Sequence, residues 1–466
     1  MNDGALASQA SARLLPFISG DRLTRTPLFV VMGYVVLTFV LFLTWPINWP
    51  IYRGWDWAIL TLYVLLCFFA LSSAAMAGSA GRAHLAAPLP GIRALLFAGA
   101  AASALLLAPS CLAYTGRGPW DVLDALRNQG EAYRLLQFQL YFGESRERAL
   151  VVASRFLAGP LMYAVLPLGV IHWRRIGWTG RAALAVSVVC SIVFSIMRGT
   201  DKEIADLFLI GFAALMVSLG RALTLSGRSV RVARRFWLPA LIGLALLIPA
   251  QGLFTERKEA RLPGFDNKAV VCANNSRICA DLDSPLIAWL PFQERFGLSE
   301  FILATSSGWF GLHLALQKPF ESSLGVGHSP AALSVYEALT GDDQPHKRTY
   351  TYRNGADEWP EDNYWSTLIA WIANDVGFTG AVAMLALIGF AWGVWWREAA
   401  AGMSDPAAVL FVLATTTVFY LPANNQVFAA YEGYSIFFAW LGVWWWHRSR
   451  QRIYAALPLA TIGAAA

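Results

Sequence analysis

The sequence is short of charge. Only 14% of its 466 residues are charged, against ~25% in an ordinary soluble domain, and 57% are hydrophobic. A conventional water-soluble enzyme is excluded on composition. Ten-residue segments of alternating polarity are absent, which argues against a transmembrane β-barrel. Neither a P-loop nor a Gly-rich strand-to-helix turn is present, so the usual nucleotide sites are missing. The first polar loop has no Asp-Asp or Asp-x-Asp pair. The six histidines, His84, His172, His313, His328, His346 and His447, show no paired spacing, and neither a catalytic metal nor a cofactor is expected. Cysteine is scarce as well. Cys67, Cys111 and Cys190 lie in apolar runs and read as packing residues. Cys272 and Cys279 are near neighbours in a polar stretch, where a local disulfide is expected if that stretch faces an oxidising compartment. Two cysteines without an adjacent histidine make a poor metal site.

What the chain has in abundance is apolar runs of 18 or more residues, the signature of an all-α polytopic membrane protein. Ten transmembrane helices are expected, at about 27–46, 55–77, 92–114, 149–172, 182–198, 203–220, 236–254, 366–396, 406–422 and 427–446. The first reads as a signal anchor, because no small-residue cleavage site follows it. The net charge of +6 comes from arginines in short connections. It reads as membrane topology and not as a nucleic-acid surface. Arg13, Arg22, Arg25, Arg82, Arg93, Arg174, Arg175, Arg181, Arg221, Arg228, Arg231, Arg234, Arg235, Arg397, Arg448, Arg450 and Arg452 all fall on one side of such a bundle. That side is expected to be cytoplasmic. The organisation that follows is a cytoplasmic segment 1–26, spans one to seven over 27–254 with an outer loop at 115–148, a large periplasmic loop 255–365, spans eight to ten over 366–446, and a cytoplasmic tail 447–466. Tryptophans at span ends, among them Trp45, Trp49, Trp173, Trp178, Trp395 and Trp444, suit interfacial anchors.

The outer loop 115–148 has an amphipathic pattern, with Leu123, Leu126, Leu136 and Phe138 interleaved with Asp124, Arg127, Glu131 and Arg134. It suits a helix lying on the membrane surface or packed on the bundle. The large loop is rich in aromatic and aliphatic residues from Pro285 to Pro319. It reads as short helices that need the bundle beneath them.

Ionisable groups near membrane depth are functional candidates by default. Arg155 lies about six residues into span four, and Arg198-Gly-Thr-Asp-Lys-Glu203 forms a hairpin too short to be a domain. Lys202 and Asp206 are spaced i, i+4 and can pair. Asp375 lies about ten residues into the span that returns from the large loop, and Glu432 opens the last one. By the expected topology all lie towards the outer half and can line one cavity. The alternative is a set of ion pairs holding helices in register. Arginine grips phosphate bidentately and keeps its proton. Arg155, Arg198, Lys202, Arg257, Arg261 and Arg353 are therefore candidate ligands for an anion such as a pyrophosphate, with Glu432 beside them. Glu203, Asp362, Asp375 and His328 are candidate bases, and the residues alone do not rank them.

Two stretches resemble bacterial oligosaccharide repeat-unit polymerases of the Wzy type. One is Met197-Arg198-Gly199-Thr200-Asp201-Lys202-Glu203, similar to that family's short Arg-Gly outer hairpin. The other is the return from the large loop, Asn363-Tyr-Trp-Ser-Thr-Leu-Ile-Ala-Trp-Ile-Ala-Asn-Asp-Val-Gly-Phe-Thr-Gly380, with Asp375 before Gly377. Gly308-Trp-Phe-Gly-Leu-His and Gly325-Val-Gly327 fit more loosely. The resemblance implies a metal-independent glycosyltransferase of the bacterial inner membrane with both termini cytoplasmic. It would join undecaprenyl-pyrophosphate-linked glycans on the periplasmic face to build a surface polysaccharide such as O-antigen or exopolysaccharide. Its partners would be membrane lipids, chain-length regulator and flippase proteins. Related O-antigen ligases usually carry His-Asn before the return helix, where this chain has Asp362-Asn363. The rivals are such a ligase and a transporter or flippase of lipid-linked glycans. Against a transporter, the chain shows no inverted repeat.

Overall fold

The structure is a computed structural model that describes residues 25–51, 53–81, 83, 86, 89–142, 145–226, 270–272 and 278–456. Helix dominates. Among the described residues seven helices are long and apolar enough to cross a membrane. They are α1 (Thr26–Thr44), α2 (Gly54–Ser79), α3 (Ile92–Thr115), α6 (Ser145–Ile171), α7 (Gly177–Met197), α8 (Lys202–Ser226) and α14 (Leu368–Ala400). Hydrocarbon forces a spanning segment to satisfy its backbone internally, and a continuous helix does so. The chain is therefore an all-α multi-pass membrane protein. Two further helices close the bundle: α15 (Asp405–Phe419), apolar but shorter, and α16 (Tyr431–Ala456). The expected span at 236–254 lies outside the described residues.

Lipid supplies little drive for helices to associate, so close packing has to hold them. The α2–α14 interface illustrates how the sequence achieves it. A Cβ on Gly393 would strike the Ala75 carbonyl oxygen, one on Gly389 the Leu71 carbonyl, and one on Gly78 the Phe390 carbonyl. Residues 71, 75 and 78 share one face of α2, and 389 and 393 one face of α14. Glycine at these positions lets the two backbones touch. At the same interface Arg397 donates to Gly78 O and Ala80 O, so the end of α14 ties down the end of α2.

The large loop is not separate from this bundle. Between α8 and α14 the described residues form β2 (Val270–Cys272), β3 (Cys279–Asp281), α9 (Phe292–Ser306), α10 (Gly308–Leu316), α11 (Pro330–Thr340), α12 (Gln344–Arg348) and α13 (Tyr350–Arg353). β3 pairs antiparallel with β2 and also with β1 (Ile47–Asn48), which follows α1, so the sheet order is β1-β3-β2. Cys279 is disulfide-bonded, and its partner across the β2–β3 register is Cys272. Cys67, Cys111 and Cys190 are free and buried. Trp309 of α10 is fully buried. Its ring meets Phe39 at 5.3 Å and Phe68 at 5.8 Å, edge-on to both. Loop and spans thus share one core, which is why the loop's apolar stretch has no need of a core of its own.

Helices α4 (Val122–Arg127) and α5 (Gln129–Phe142) precede α6. Leu136 and Ala132 turn inward, whereas Leu123, Leu126 and Phe138 are exposed. The amphipathic pattern is therefore real, with part of its apolar side packed on the bundle.

These contacts predict opposite signs for one kind of substitution. Gly393→Ala is expected to lower the thermal stability of the purified protein. At Gly33 an added methyl meets nothing within 4 Å, and Gly33→Ala is expected to leave stability unchanged or raise it by about 0.5–1 kcal/mol. Melting curves of both variants in one detergent check the contrast.

Candidate functional site

The site is organised by a break in a membrane helix. Within α14, Gly377 has φ 66° and ψ 175°, a region essentially closed to residues with a Cβ. The helix before the break starts cleanly: Thr367 Oγ accepts from Ala370 N at 3.3 Å, and Leu368 N donates to Leu421 O at 2.9 Å. The break deprives nearby carbonyls of their helical donors, and side chains replace them. Tyr63 Oη donates to Phe378 O at 2.8 Å. Ser323 Oγ lies 2.7 Å from Asn374 O and 2.6 Å from Asp375 Oδ1.

Asn374 and Asp375, just ahead of the break, hold the loop in place. Asn374 is fully buried; it accepts from Tyr350 N and donates to Gly327 O, both at 2.8 Å. The Asp375 carboxylate accepts from Gly327 N at 2.7 Å, from His328 N at 2.9 Å and from His328 Nδ1 at 2.8 Å. An ionised carboxylate only accepts, so Nδ1 of His328 carries the proton and Nε2 of the neutral ring is an acceptor. Tyr434 Oη, on α16, lies 2.7 Å from that Nε2. The result is a continuous chain, Asp375–His328–Tyr434. It is further braced by Asn425 Nδ2, which donates to His328 O at 2.5 Å. The His328 side chain is 35% exposed and that of Asp375 10%, so the imidazole faces open space while its carboxylate is shielded.

A cluster of guanidinium groups meets the same helix through Glu432, two residues before Tyr434. Arg155 donates through Nε and Nη2 to both oxygens of Glu432, at 2.5 and 3.1 Å, and through Nη1 to Ser110 Oγ at 3.2 Å. Arg198 pairs with Glu203, which also accepts from Thr200 Oγ1 at 3.0 Å. Both guanidiniums lie over the Phe194 ring, at 4.9 and 5.2 Å, and Arg198 also covers Tyr114 at 5.5 Å. Arg198 Nε is buried with no hydrogen-bond partner among the described residues. Gly199 explains the Arg-Gly hairpin. Its φ is +61°, and a Cβ would sit 2.6 Å from Tyr133 N and 2.7 Å from Gln129 O of α5. Lys202 and Asp206 pair at 3.1 Å as their spacing implies, and Asp206 also accepts from Tyr420 Oη at 2.8 Å.

The first turns of α16 connect the two groups, since Glu432 serves the guanidinium cluster and Tyr434 the histidine. Of the candidate bases, the structure joins His328 to Asp375 and places Glu203 among the arginines. Asp362 is exposed and lies near His346. Arg353 is held within the loop, donating to Glu321 at 2.8 Å, to Pro319 O at 2.8 Å and to Thr349 O at 3.3 Å. Arg257 and Arg261 lie outside the described residues. Tyr434 and Asn425 carry no spacing signal of their own. The one clue to Tyr434 is that it stands two residues from Glu432, already marked by its depth. Among the described residues no group of three potential metal ligands occurs. Compared with known proteins, the chain matches no family model, no curated protein and no solved structure.

The break predicts that Gly377→Ala costs about 1–3 kcal/mol of stability, because its φ leaves no relaxed state for alanine. Thermal unfolding of the two proteins side by side measures it. A second prediction concerns His346 in α12. Its hydrogen bond to Glu361 favours the charged ring and raises its pKa above the ordinary value. A raised folded-state pKa contributes stability that is present below the unfolded value and lost as pH rises through the folded one. The Glu361→Gln variant is expected to titrate His346 at lower pH and to lose this part of the pH dependence. Histidine NMR resonances followed through neutral pH report the first, and unfolding measured across the same pH range the second.

Proposed function

We propose that the chain is a glycosyltransferase that polymerises lipid-linked oligosaccharide repeat units. The observation that carries this reading is the pairing, through one helix end, of a proton-accepting chain with a guanidinium cluster. Displacement of a polyprenyl pyrophosphate from an anomeric carbon asks for both. The acceptor hydroxyl must lose a proton, and the leaving pyrophosphate gains charge.

In the proposed reaction the acceptor oxygen forms a bond to the anomeric carbon as the bond to the pyrophosphate oxygen breaks. The acceptor's proton passes to Tyr434 Oη while the tyrosine's own proton moves to His328 Nε2. Asp375, holding Nδ1–H, stabilises the imidazolium that forms. Arg198 meets the departing pyrophosphate, and Arg155, its donors engaged by Glu432 and Ser110, fixes the start of α16 beside it.

This reading places the His328 end of the bundle on the periplasmic side of a bacterial inner membrane, with ten spans and the large loop outward. The distribution of arginine supports it. Arg93, Arg175, Arg221, Arg397 and Arg448 gather at the end where α14 closes and α16 runs on, as positive-inside topology requires.

Incubating the purified protein with an undecaprenyl-pyrophosphate-linked repeat unit is expected to give a ladder of polymer. Transfer to lipid A alone would make the protein a ligase, and the absence of any covalent product would reject enzymatic transfer. Within a positive assay, Asp375→Asn and Tyr434→Phe are expected to reduce turnover by about 10²-fold or more. Arg198→Ala is expected to lose about 10²–10³-fold. Membrane levels and melting temperatures separate these effects from misfolding. Wild-type chain lengths from Tyr434→Phe would remove the tyrosine from the proton path.

A further inference from the structure

The other end of the bundle carries a second basic site that the proposed reaction does not use. A pocket of about 360 Å³ opens there, lined by Leu89, Gly91, Ile92, Arg93, His172, Arg175 and Ile176. It lies between the start of α3 and the turn that joins α6 to α7. Behind the pocket stands a buried polar group. His172 is buried, with Nε2 2.8 Å from Asp405 Oδ1, and Asp405 also accepts from Arg221 Nη1 at 3.0 Å and from Leu89 N at 3.3 Å.

The rim is different. Arg93 and Arg175 are exposed, and among the described residues neither has a carboxylate within ion-pairing distance. Arg93 Nη2 donates to Arg175 O at 3.1 Å, which holds its guanidinium at the mouth. Of Arg93, Arg175 and the neighbouring Arg221, only Arg221 meets a carboxylate among the described residues, that of Asp405. The rim guanidiniums keep donors for an anion. The remaining wall, Leu89, Ile92 and Ile176, is apolar.

The level of the pocket is marked by its neighbours. Trp173 in that turn and Trp178 at the start of α7 are exposed at 48% and 81%, and Arg181 lies over the Trp173 ring at 4.7 Å. Exposed tryptophans at helix ends sit at the boundary between headgroup and hydrocarbon. A pocket at that depth, cationic at the rim and apolar along one wall, matches an anionic phospholipid. The phosphate would meet Arg93 and Arg175, and the glycerol and first methylenes would lie on Leu89, Ile92 and Ile176.

We propose that this pocket is a binding site for the phosphate headgroup of an anionic phospholipid. Asp405 links it to three helices, because His172 closes α6, Arg221 lies on α8 and Asp405 opens α15. An occupied pocket would hold these ends together.

Full-length protein in nanodiscs of mixed phosphatidylglycerol and phosphatidylcholine, released for native mass spectrometry, tests the proposal. The wild type is expected to retain phosphatidylglycerol selectively. Arg93→Gln/Arg175→Gln is expected to weaken that retention about 10-fold or more, and Arg93→Lys/Arg175→Lys to recover part of it. Arg174→Gln removes a neighbouring charge that does not line the pocket and is expected to retain lipid as the wild type does. Equal loss in Arg174→Gln and the double variant would overturn the site in favour of diffuse surface charge. Retention of the two lipids in proportion to their supply would overturn it outright. Displacement of the lipid by millimolar inorganic phosphate would show that the apolar wall contributes nothing, and would reject a lipid as the ligand. Monodisperse elution of each variant confirms that it is folded.

Discussion

The constraint on which this molecule depends is the break in α14 at Gly377. A helix interrupted inside a membrane protein leaves backbone groups that must find partners, and each unsatisfied one costs several kcal/mol in hydrocarbon. The partners here come from elsewhere in the chain, Tyr63 from α2 and Ser323 from the large loop. The break therefore recruits the loop. Asn374 and Asp375 complete the attachment, binding the backbone of Gly327, His328 and Tyr350. A residue that interrupts a span is what fixes the geometry of the site above it.

The same attachment explains why His328 can be both exposed and oriented. Its backbone N–H and its Nδ1 both engage Asp375, and its carbonyl accepts from Asn425. Three contacts, two from α14 and one from the turn between α15 and α16, leave the ring little freedom, while Nε2 still faces Tyr434. A loop histidine held this way approaches the rigidity of one on a helix, and rigidity of placement underlies effective proton transfer.

Much of this was legible in the sequence, and the limits are instructive. Runs of apolar residues marked the helices because length and hydropathy alone decide whether a segment suits hydrocarbon. Arg155, Glu432, Arg198, Glu203 and Asp375 stood out because charge near membrane depth is costly and must be paired. Their pairing was not legible: Arg155 and Glu432 are 277 residues apart, and no local periodicity links them. Tyr434 escaped notice because a tyrosine near a span end is ordinary for an interfacial anchor. The Asp405–His172–Arg221 group escaped for a related reason. Ser404-Asp405-Pro406 reads as a helix start, and Ser404 does cap α15 by accepting from Ala407 N at 3.3 Å. Nothing in that stretch reveals that the aspartate is buried against two other helices.

The two charged centres obey different rules, and the difference bears on function. At the Asp405 end the carboxylate is almost fully enclosed, with a histidine, an arginine and a backbone amide all turned on it. Breaking such a buried pair leaves an uncompensated charge and costs more than the pair contributes. This arrangement suits holding helices in register. At the Arg198 end the pairing is more open: the Arg198 side chain keeps 21% of its exposure, against 11% for Arg221. The proposed function needs a cation that a ligand can reach. By that criterion the Arg198–Glu203 hairpin belongs with His328 and Asp375, whereas Arg353, with its donors spent on the loop's own carbonyls and Glu321, belongs to the scaffold that positions them.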